Sequence, residues 1–170
     1  HGTHFTNNPD PGIEHVLRGW NPAGGVAQPD LEVEDLRVRN VPTSVHGRSG
    51  EHANSNSIFV FEVEDLCIAH LGHLHHVLED LHLGEIGLID ILLVPIDGSY
   101  TIGQQLMKTV IDQIGPVRIP MHYFGPASLE RFLTLMAEDY EIVRSGAQTV
   151  HYDRLGLPLR RVEVLEPVRY

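Results

Sequence analysis

The sequence predicts an α/β domain in which a β-sheet is covered by helices. Three patterns in the 170-residue chain support this prediction. The first half alternates apolar and polar residues in the way of β-hairpins. The second half alternates apolar strands with amphipathic helices, and residues 89–96 form a nearly continuous apolar run, typical of a strand covered on both faces. The length suits a single domain, which we assign to residues 1–170.

The first half of the chain predicts two hairpins separated by a loop. Residues 1–30 are rich in Gly, Pro and Asn and predict loops, with one short strand at 14–17. Alternation over residues 31–41 predicts a hairpin that turns at Glu34 and Asp35. Residues 42–56 are polar and predict a long loop. The elements predicted after it are strands at 57–64 and 66–70, a helix at 77–83, a strand at 89–96, a helix at 102–114, a strand at 117–120, a helix at 128–137 and strands at 140–144, 149–152 and 162–165.

Composition excludes several classes of function. The net charge is −11 and the arginines are scattered, so we expect no nucleic-acid partner. No apolar run approaches the ~18 residues of a membrane-spanning helix, so we expect no membrane partner. The single cysteine, Cys67, excludes an intrachain disulfide framework and favours a cytoplasmic location. A metal bound by this chain therefore needs imidazole and carboxylate ligands.

The twelve histidines are concentrated where predicted strands end. A dense HLGHLHH segment, residues 70–76, ends one strand, and His122 follows another. The carboxyl ends of neighbouring strands gather the ligand sites of α/β sheets, and imidazole is the commonest zinc ligand. Two interpretations of these histidines are open: they bind a metal, or they are ordinary packed or solvated side chains. Residues 97–101 have two interpretations. Either Gly98 makes a turn and Thr101 caps the helix that follows, or Asp97 ligates a metal or orients a histidine. Tyr123 either packs or donates to a substrate oxygen.

Several motifs together resemble the metallo-β-lactamase superfamily. They are IFVFE, LCIAHLG, IGLIDILLVPIDGSYTI and IPMHY, between about residues 56 and 125. Within the superfamily, the chain is most similar to Zn-dependent hydrolases akin to the L-ascorbate-6-phosphate lactonase group. The resemblance implies an αβ/βα sandwich with metals between the sheet edges. It also implies that this chain is the carboxyl-terminal portion of that fold and lacks its amino-terminal strands.

The resemblance implies a metal site with altered ligands. The candidate ligands are His4, His46, His73 and His122, with His1, His76 and Asp97 as weaker candidates. His73 stands where the family has a metal-bridging aspartate. Thr6 and Asn7 stand where its first motif has an aspartate and a histidine. Since a neutral imidazole does not bridge two metals as a carboxylate does, we expect a single ion, namely zinc, manganese or iron.

Two functions follow from the resemblance. The first is a metal-dependent hydrolase, in which metal-activated water attacks an ester, lactone or phosphoester bond of a small-molecule substrate. The alternative is a non-catalytic scaffold of the same fold, or a subunit of a larger assembly, with a degraded metal site. A metal-storage or metal-sensing module is a weaker third possibility. Because strands of the family fold are missing, we expect a homo-oligomer or a partner that covers the exposed sheet.

Overall fold

One β-sheet of eight strands runs through the described residues of the computed structural model, which are 9–21, 23–47, 50–115 and 117–167. In chain order the strands are β1 (Asp30–Val33), β2 (Leu36–Gly47), β3 (Gly50–Val63), β4 (Leu66–His70), β5 (Ile91–Pro95), β6 (Val117–Met121), β7 (Glu141–Arg144) and β8 (Arg161–Val164). The helices are α1 (Asp80–Ile86), α2 (Gln104–Gln113) and α3 (Pro126–Met136). No helix in these residues is long and apolar enough to cross a bilayer.

The sheet changes from antiparallel to parallel at β4. Strands β1 to β4 form antiparallel hairpins, and β4, β5, β6, β8 and β7 then lie side by side and parallel. The helices α2 and α3 follow β5 and β6, as crossovers between parallel strands require. Parallel strands end at the same edge of a sheet, so the segments after β4, β5 and β6 lie next to one another.

The hydrophobic core lies between one face of the sheet and the helices. The register places Val60, Ala69 and Leu92 in one row of that face, and none of the three is solvent-exposed. Helices α2 and α3 cover this row with the side chains of Met107, Val110, Ile111, Phe132, Leu133 and Met136. Helix α1 contributes the fully buried Ile86. These side chains recur at helical spacing, which is why the sequence pattern predicted α2 and α3.

The opposite face of the sheet is covered by irregular segments. Its half-buried apolar side chains include Phe59, Leu93 and Ile119, which lie in one row across β3, β5 and β6. Gly19 packs directly against the Phe59 ring and the Ser57 side chain. The Tyr152 hydroxyl donates to Glu163 of β8 at 2.9 Å. Loops rather than helices therefore shield this face.

The prediction of a long loop at residues 42–56 was wrong. Strands β2 and β3 continue through this range, and the ladder still pairs Val45 with His52. Within it the side chains of Thr43, Val45 and Asn56 are buried. Because Thr and Asn were counted as polar, the alternation of buried and exposed positions was hidden in the sequence.

Most of the remaining elements match their predictions with shifted boundaries, but two predicted strands do not form. Residues 14–17 and 149–152, predicted as strands, do not form strands. The helix predicted at 77–83 begins at Asp80 and ends at Ile86. It starts there because Glu79 and His82 form a reciprocal capping box at its amino end. The turns at Glu34–Asp35 and Glu64–Asp65 are confirmed, and Glu34, Glu64 and Asp65 adopt positive φ angles there.

Candidate metal centre

The candidate site lies at the edge where β4, β5 and β6 end. His73 follows β4 by three residues, Asp97 follows β5 by two, and His122 follows β6 directly. The three strands are adjacent and parallel, so these side chains converge. This placement agrees with the sequence-based expectation that ligand sites gather at the carboxyl ends of strands.

Two imidazole rings face each other at this edge. The Nε2 atoms of His73 and His122 are 3.1 Å apart, and the ring centroids are 4.7 Å apart with planes at 84°. On the other side of the His122 ring, Nδ1 lies 3.0 Å from Asp97 Oδ1. The arrangement is therefore a carboxylate–histidine pair aimed at a second histidine.

Asp97 fixes the tautomer of His122. Its carboxylate is fully buried, yet it accepts hydrogen bonds from the backbone N–H groups of Ser99 and Tyr100 and from the Thr101 hydroxyl. Burial alone would raise the pKa of Asp97, but these donors and His122 outweigh it and hold the pKa well below its usual value. The ionised carboxylate only accepts, so His122 donates from Nδ1 and its Nε2 carries a lone pair.

Asn56 holds the backbone of His73. Its side chain is buried and makes three hydrogen bonds. The Nδ2 atom donates to Thr43 Oγ1 and to the Leu71 carbonyl oxygen, and Oδ1 accepts from the His73 backbone N–H at 2.7 Å. Sequence analysis placed Asn56 in a loop and missed this role, since a single Asn in a polar stretch carries no signal for it.

Two weaker candidates from the sequence have clear positions. Asp97 orients His122, which was one of its two proposed roles, and its Thr101 contact supplies the turn as well. Tyr123 packs against the hydrophobic core. The contacts of Asp97 therefore match the role of orienting a histidine, and those of Tyr123 match packing. The prediction that Thr101 caps the next helix was wrong, because α2 has Gly103 at its N-cap with no side-chain cap hydrogen bond, and the Thr101 hydroxyl donates to Asp97 instead.

His46 and His76 form a separate contact. Their ring centroids are 6.2 Å apart, and the His46 side chain is 52% exposed and 3.9 Å from Glu51. His76 already uses both ring nitrogens, since Nδ1 donates to the Val77 carbonyl oxygen at 2.8 Å and Nε2 accepts from the Ser44 N–H at 3.3 Å. The structure thus brings His73 and His122 together and gives His46 and His76 other partners. His1 and His4 lie outside the described residues.

Neighbouring histidines support the edge without joining the pair. Burial is the main reason that the pKa of His70 is lowered, and its Nδ1 accepts from the Gly72 N–H at 3.0 Å. Burial also lowers the pKa of His75, although hydrogen bonds from its ring to the backbones of His46 and Tyr100 oppose the shift. Both rings are therefore neutral packing groups that tie the loops of this edge together.

The donor chemistry of the edge fits part of a metal site. Two imidazole nitrogens face one point, and a carboxylate hydrogen-bonds the opposite nitrogen of one ring, as it does for many metal-bound histidines. Among residues 9–21, 23–47, 50–115 and 117–167, no three His, Cys, Asp or Glu side chains are arranged to hold an ion. His73 and His122 would therefore supply two ligands, with further ligands from elsewhere.

Comparison with known proteins decides the family. A sequence model of the Beta-lactamase superfamily domain matches residues 1–122, a range that contains His4, His46, His73 and His122. The chain belongs to the β-lactamase superfamily. The mixed α/β sheet with helices on one face is accordingly the metallo-β-lactamase fold, as the sequence motifs predicted.

Individual relatives within the superfamily are named as metal-dependent hydrolases. A UPF0173 metal-dependent hydrolase of Thermococcus onnurineus is 28% identical over 142 residues, which are 79% of this chain and 59% of that protein. Another of Pyrococcus horikoshii is 29% identical over 120 residues, covering 66% and 53% of the two chains. This β-lactamase superfamily chain thus spans little more than half the length of these curated relatives.

Solved structures agree with the fold. A Thermotoga maritima protein assigned as a Zn-dependent hydrolase of the metallo-β-lactamase superfamily is 33% identical, with a TM-score of 0.60, over 81% of this chain and 69% of that chain. Igni18, a metallo hydrolase from Ignicoccus hospitalis, is 18% identical, with a TM-score of 0.51, over 79% and 52% of the two chains. At that lower identity the likeness concerns the fold alone.

Proposed function

We propose that this chain carries the metal-binding part of a metal-dependent hydrolase that cleaves an ester, lactone or phosphoester bond in a small-molecule substrate. The observation that carries the proposal is the His73–His122 pair, whose Nε2 atoms face each other at 3.1 Å while Asp97 holds the far side of one ring. The names of the UPF0173 relatives point the same way.

The chain's own residues prepare two ligands. Asp97 keeps His122 in the tautomer whose Nε2 lone pair is available, and Asn56 fixes the backbone of His73. If His122 is the neutral Nδ1–H tautomer, the 3.1 Å Nε2–Nε2 contact without a metal requires a proton on Nε2 of His73. With a metal, that proton would have to move to Nδ1 or leave. A bound ion supplies Lewis-acid polarisation and lowers the pKa of water to about 7. We propose zinc as this ion, with manganese or iron as alternatives, and one ion per chain.

Metal content tests the site directly. After equilibration with zinc and gel filtration, elemental analysis of the purified chain is expected to give about one ion per molecule. His73→Ala and His122→Ala are each expected to lose the ion and keep their far-ultraviolet circular dichroism. The matched control is His151→Ala. His151 is exposed and lies three residues before Arg154 in the chain. Arg154 contacts Asp90, which precedes β5 and so lies at the sheet edge opposite to the candidate site.

Two results would contradict the site. Full metal content in both variants would show that the ion binds elsewhere. A folded chain that takes up no zinc at all would favour the alternative of a non-catalytic scaffold or a subunit of a larger assembly. His73, at the position where the family resemblance implies a bridging aspartate, is the observation that keeps that alternative open.

Bond class is tested with three chromogenic or pH-stat assays. They use p-nitrophenyl acetate for esters, γ-butyrolactone for lactones and bis(p-nitrophenyl) phosphate for phosphoesters. Turnover should stop with a chelator, return with zinc and be absent from His122→Ala.

The same proposal has three further parts. They are a placement near L-ascorbate-6-phosphate lactonases, a cytoplasmic location, and a homo-oligomer or covering partner. Size-exclusion chromatography with light scattering tests the oligomer.

A further inference from the structure

An exposed aromatic pair stands beside the candidate metal centre. Tyr100 is 65% exposed and Phe124 is 71% exposed. Their ring centroids are 5.7 Å apart at an interplanar angle of 72°. The Phe124 ring also contacts His122, at 5.4 Å between centroids and again at 72°. The three rings form a continuous edge-to-face series that leads from solvent to the His73–His122 pair.

The backbone under this pair is fixed from several sides. The buried Asp97 carboxylate accepts a hydrogen bond from the Tyr100 backbone N–H. The same carboxylate accepts from the backbone N–H and the hydroxyl of Ser99, the residue before Tyr100. Phe124 lies between His122 and Gly125, and helix α3 begins directly after Gly125, at Pro126. Because the Tyr100 backbone is held, less conformational entropy is lost when a ligand binds next to its ring.

Scattered exposed apolar residues need no explanation, but this pair differs from them. Leu88, Leu155 and Leu159 are more exposed, at 85–99%, but they precede β5 and β8, whereas the candidate site follows β4, β5 and β6. Tyr100 and Phe124 touch each other, and Phe124 touches a proposed ligand. Aromatic rings prefer edge-to-face or offset partners, and each such contact adds to the stabilisation that burial gives. A third ring placed on this surface would gain contacts of that kind.

Charge narrows the class of ligand. The chain carries a net charge of −11, which disfavours an anionic group next to the rings. The aromatic contacts of Tyr100 and Phe124 are with each other and with His122.

We propose that Tyr100 and Phe124 form a specificity surface that binds an uncharged aromatic group of the substrate beside the metal centre. This proposal rests on the proposed hydrolase function and narrows its substrate to an ester or lactone that carries such a ring. The two residues position the substrate and take no part in bond cleavage.

Binding without turnover tests the surface. Phenylacetamide and acetamide are titrated into the ¹⁵N-labelled full chain with a chelator present, and amide shifts are followed. Phenylacetamide should shift the amides of residues 98–101 and 122–125 saturably, whereas acetamide should not. Phe124→Ala and Tyr100→Ala should each weaken binding about two- to tenfold. The control Leu155→Ala removes a 99% exposed side chain and should bind as the unaltered chain does.

Three results would overturn the inference. They are phenylacetamide binding of equal strength in the Tyr100→Ala/Phe124→Ala double variant, shifts confined to other residues, and concentration-dependent dimerisation that Phe124→Ala abolishes. The last would assign the rings to a contact between copies of this chain.

Zinc content separates the test of the aromatic surface from the test of the hydrolase, because Phe124→Ala should retain the ion. Loss of zinc uptake in the unaltered chain would count against the hydrolase alone, since the chelator makes the binding assay independent of metal.

Discussion

At the scale of single residues, the Asp97 carboxylate connects the two parts of the proposed site. It accepts from His122 Nδ1 and from the backbone N–H of Tyr100. Its low pKa keeps it ionised at neutral pH, so it serves only as an acceptor. One buried group thereby fixes the ring that would bind a metal and the backbone that carries an aromatic side chain.

Asp97→Asn should weaken zinc binding about 10- to 100-fold, in the range found for loss of a residue that orients a metal ligand. The neutral amide no longer enforces an Nδ1–H donor on His122, so the Nε2 lone pair is lost in part of the molecules. Competition with a chromophoric chelator measures the affinity. Asp153→Asn is the matched control, because exposed Asp153 also accepts from two turn N–H groups, those of Leu155 and Gly156. Equal affinities in the two variants would contradict the role of Asp97.

Sequence patterns identified some of these residues and missed others. His73 and His122 were predicted because they follow strands and because the family resemblance implies ligands at these positions. The alternatives for Asp97 included that of orienting a histidine. Asn56 was missed, although it holds His73, because its three partners come from β2 and from the segment after β4. Such a role exists only once those segments are packed together.

At the scale of elements, the turn after β4 depends on Gly72. Its φ angle is +61°, a region that disfavours side chains. A Cβ atom at this position would lie 2.8 Å from the Ser57 carbonyl oxygen and closer still to Asn56 Oδ1. The turn that presents His73 therefore requires glycine both for its backbone angle and for its close approach to β3.

Gly72→Ala should lower the free energy of unfolding by about 1–3 kcal/mol and also weaken zinc binding, because it displaces Asn56 from His73. Gly84→Ala is the opposite case. Gly84 lies in helix α1, where an added Cβ meets nothing within 4 Å, so the change should raise stability by about 0.5–1 kcal/mol. Urea unfolding of both variants measures the difference. A Gly72→Ala chain as stable as the unaltered one would rule out the strained turn.

The long β2–β3 hairpin shows where element prediction failed. Hydrophobic alternation predicted strands that include its base, within residues 31–41 and 57–64, but not its distal half. There the buried positions include Thr43 and Asn56, which satisfy each other by a hydrogen bond of 2.8 Å. A buried pair of polar residues has no periodic apolar pattern, so local sequence predicted a loop.

At the scale of the whole molecule, the two faces of the sheet are covered differently. Helices cover one face, and irregular segments cover the other, with Phe59 and Ile119 half-buried there. Tyr152 anchors one of these segments by its hydrogen bond to Glu163, which is only 3% exposed. The stability of this cover depends on a tyrosine that stays protonated.

The unfolding free energy should fall between about pH 10 and 12. Burial, and then the hydrogen bond to Glu163, raise the pKa of Tyr152 from 10.0 to about 12. Below pH 10 the stabilisation is fully present, and above it the unfolded chain ionises first, so stability is lost as pH rises through the folded pKa. Tyr152→Phe should reduce this alkaline loss. Other groups should contribute to the remainder: burial also raises the pKa of Tyr140 and of Cys67, and the hydrogen bond to Asp139 raises the pKa of Lys108. Urea unfolding at pH 8, 10 and 11.5 measures both chains, and identical pH dependence would contradict the assignment.

The sequence by itself determined the α/β class, the family motifs and the edge at which the histidines gather. Those properties follow from local periodicity and from the rule that adjacent parallel strands end at one edge. Only the tertiary structure decided that His73 pairs with His122 while His46 and His76 contact each other. Pairing depends on strand register, on the Gly72 turn and on buried contacts to Asn56 and Asp97, which join segments far apart in the chain.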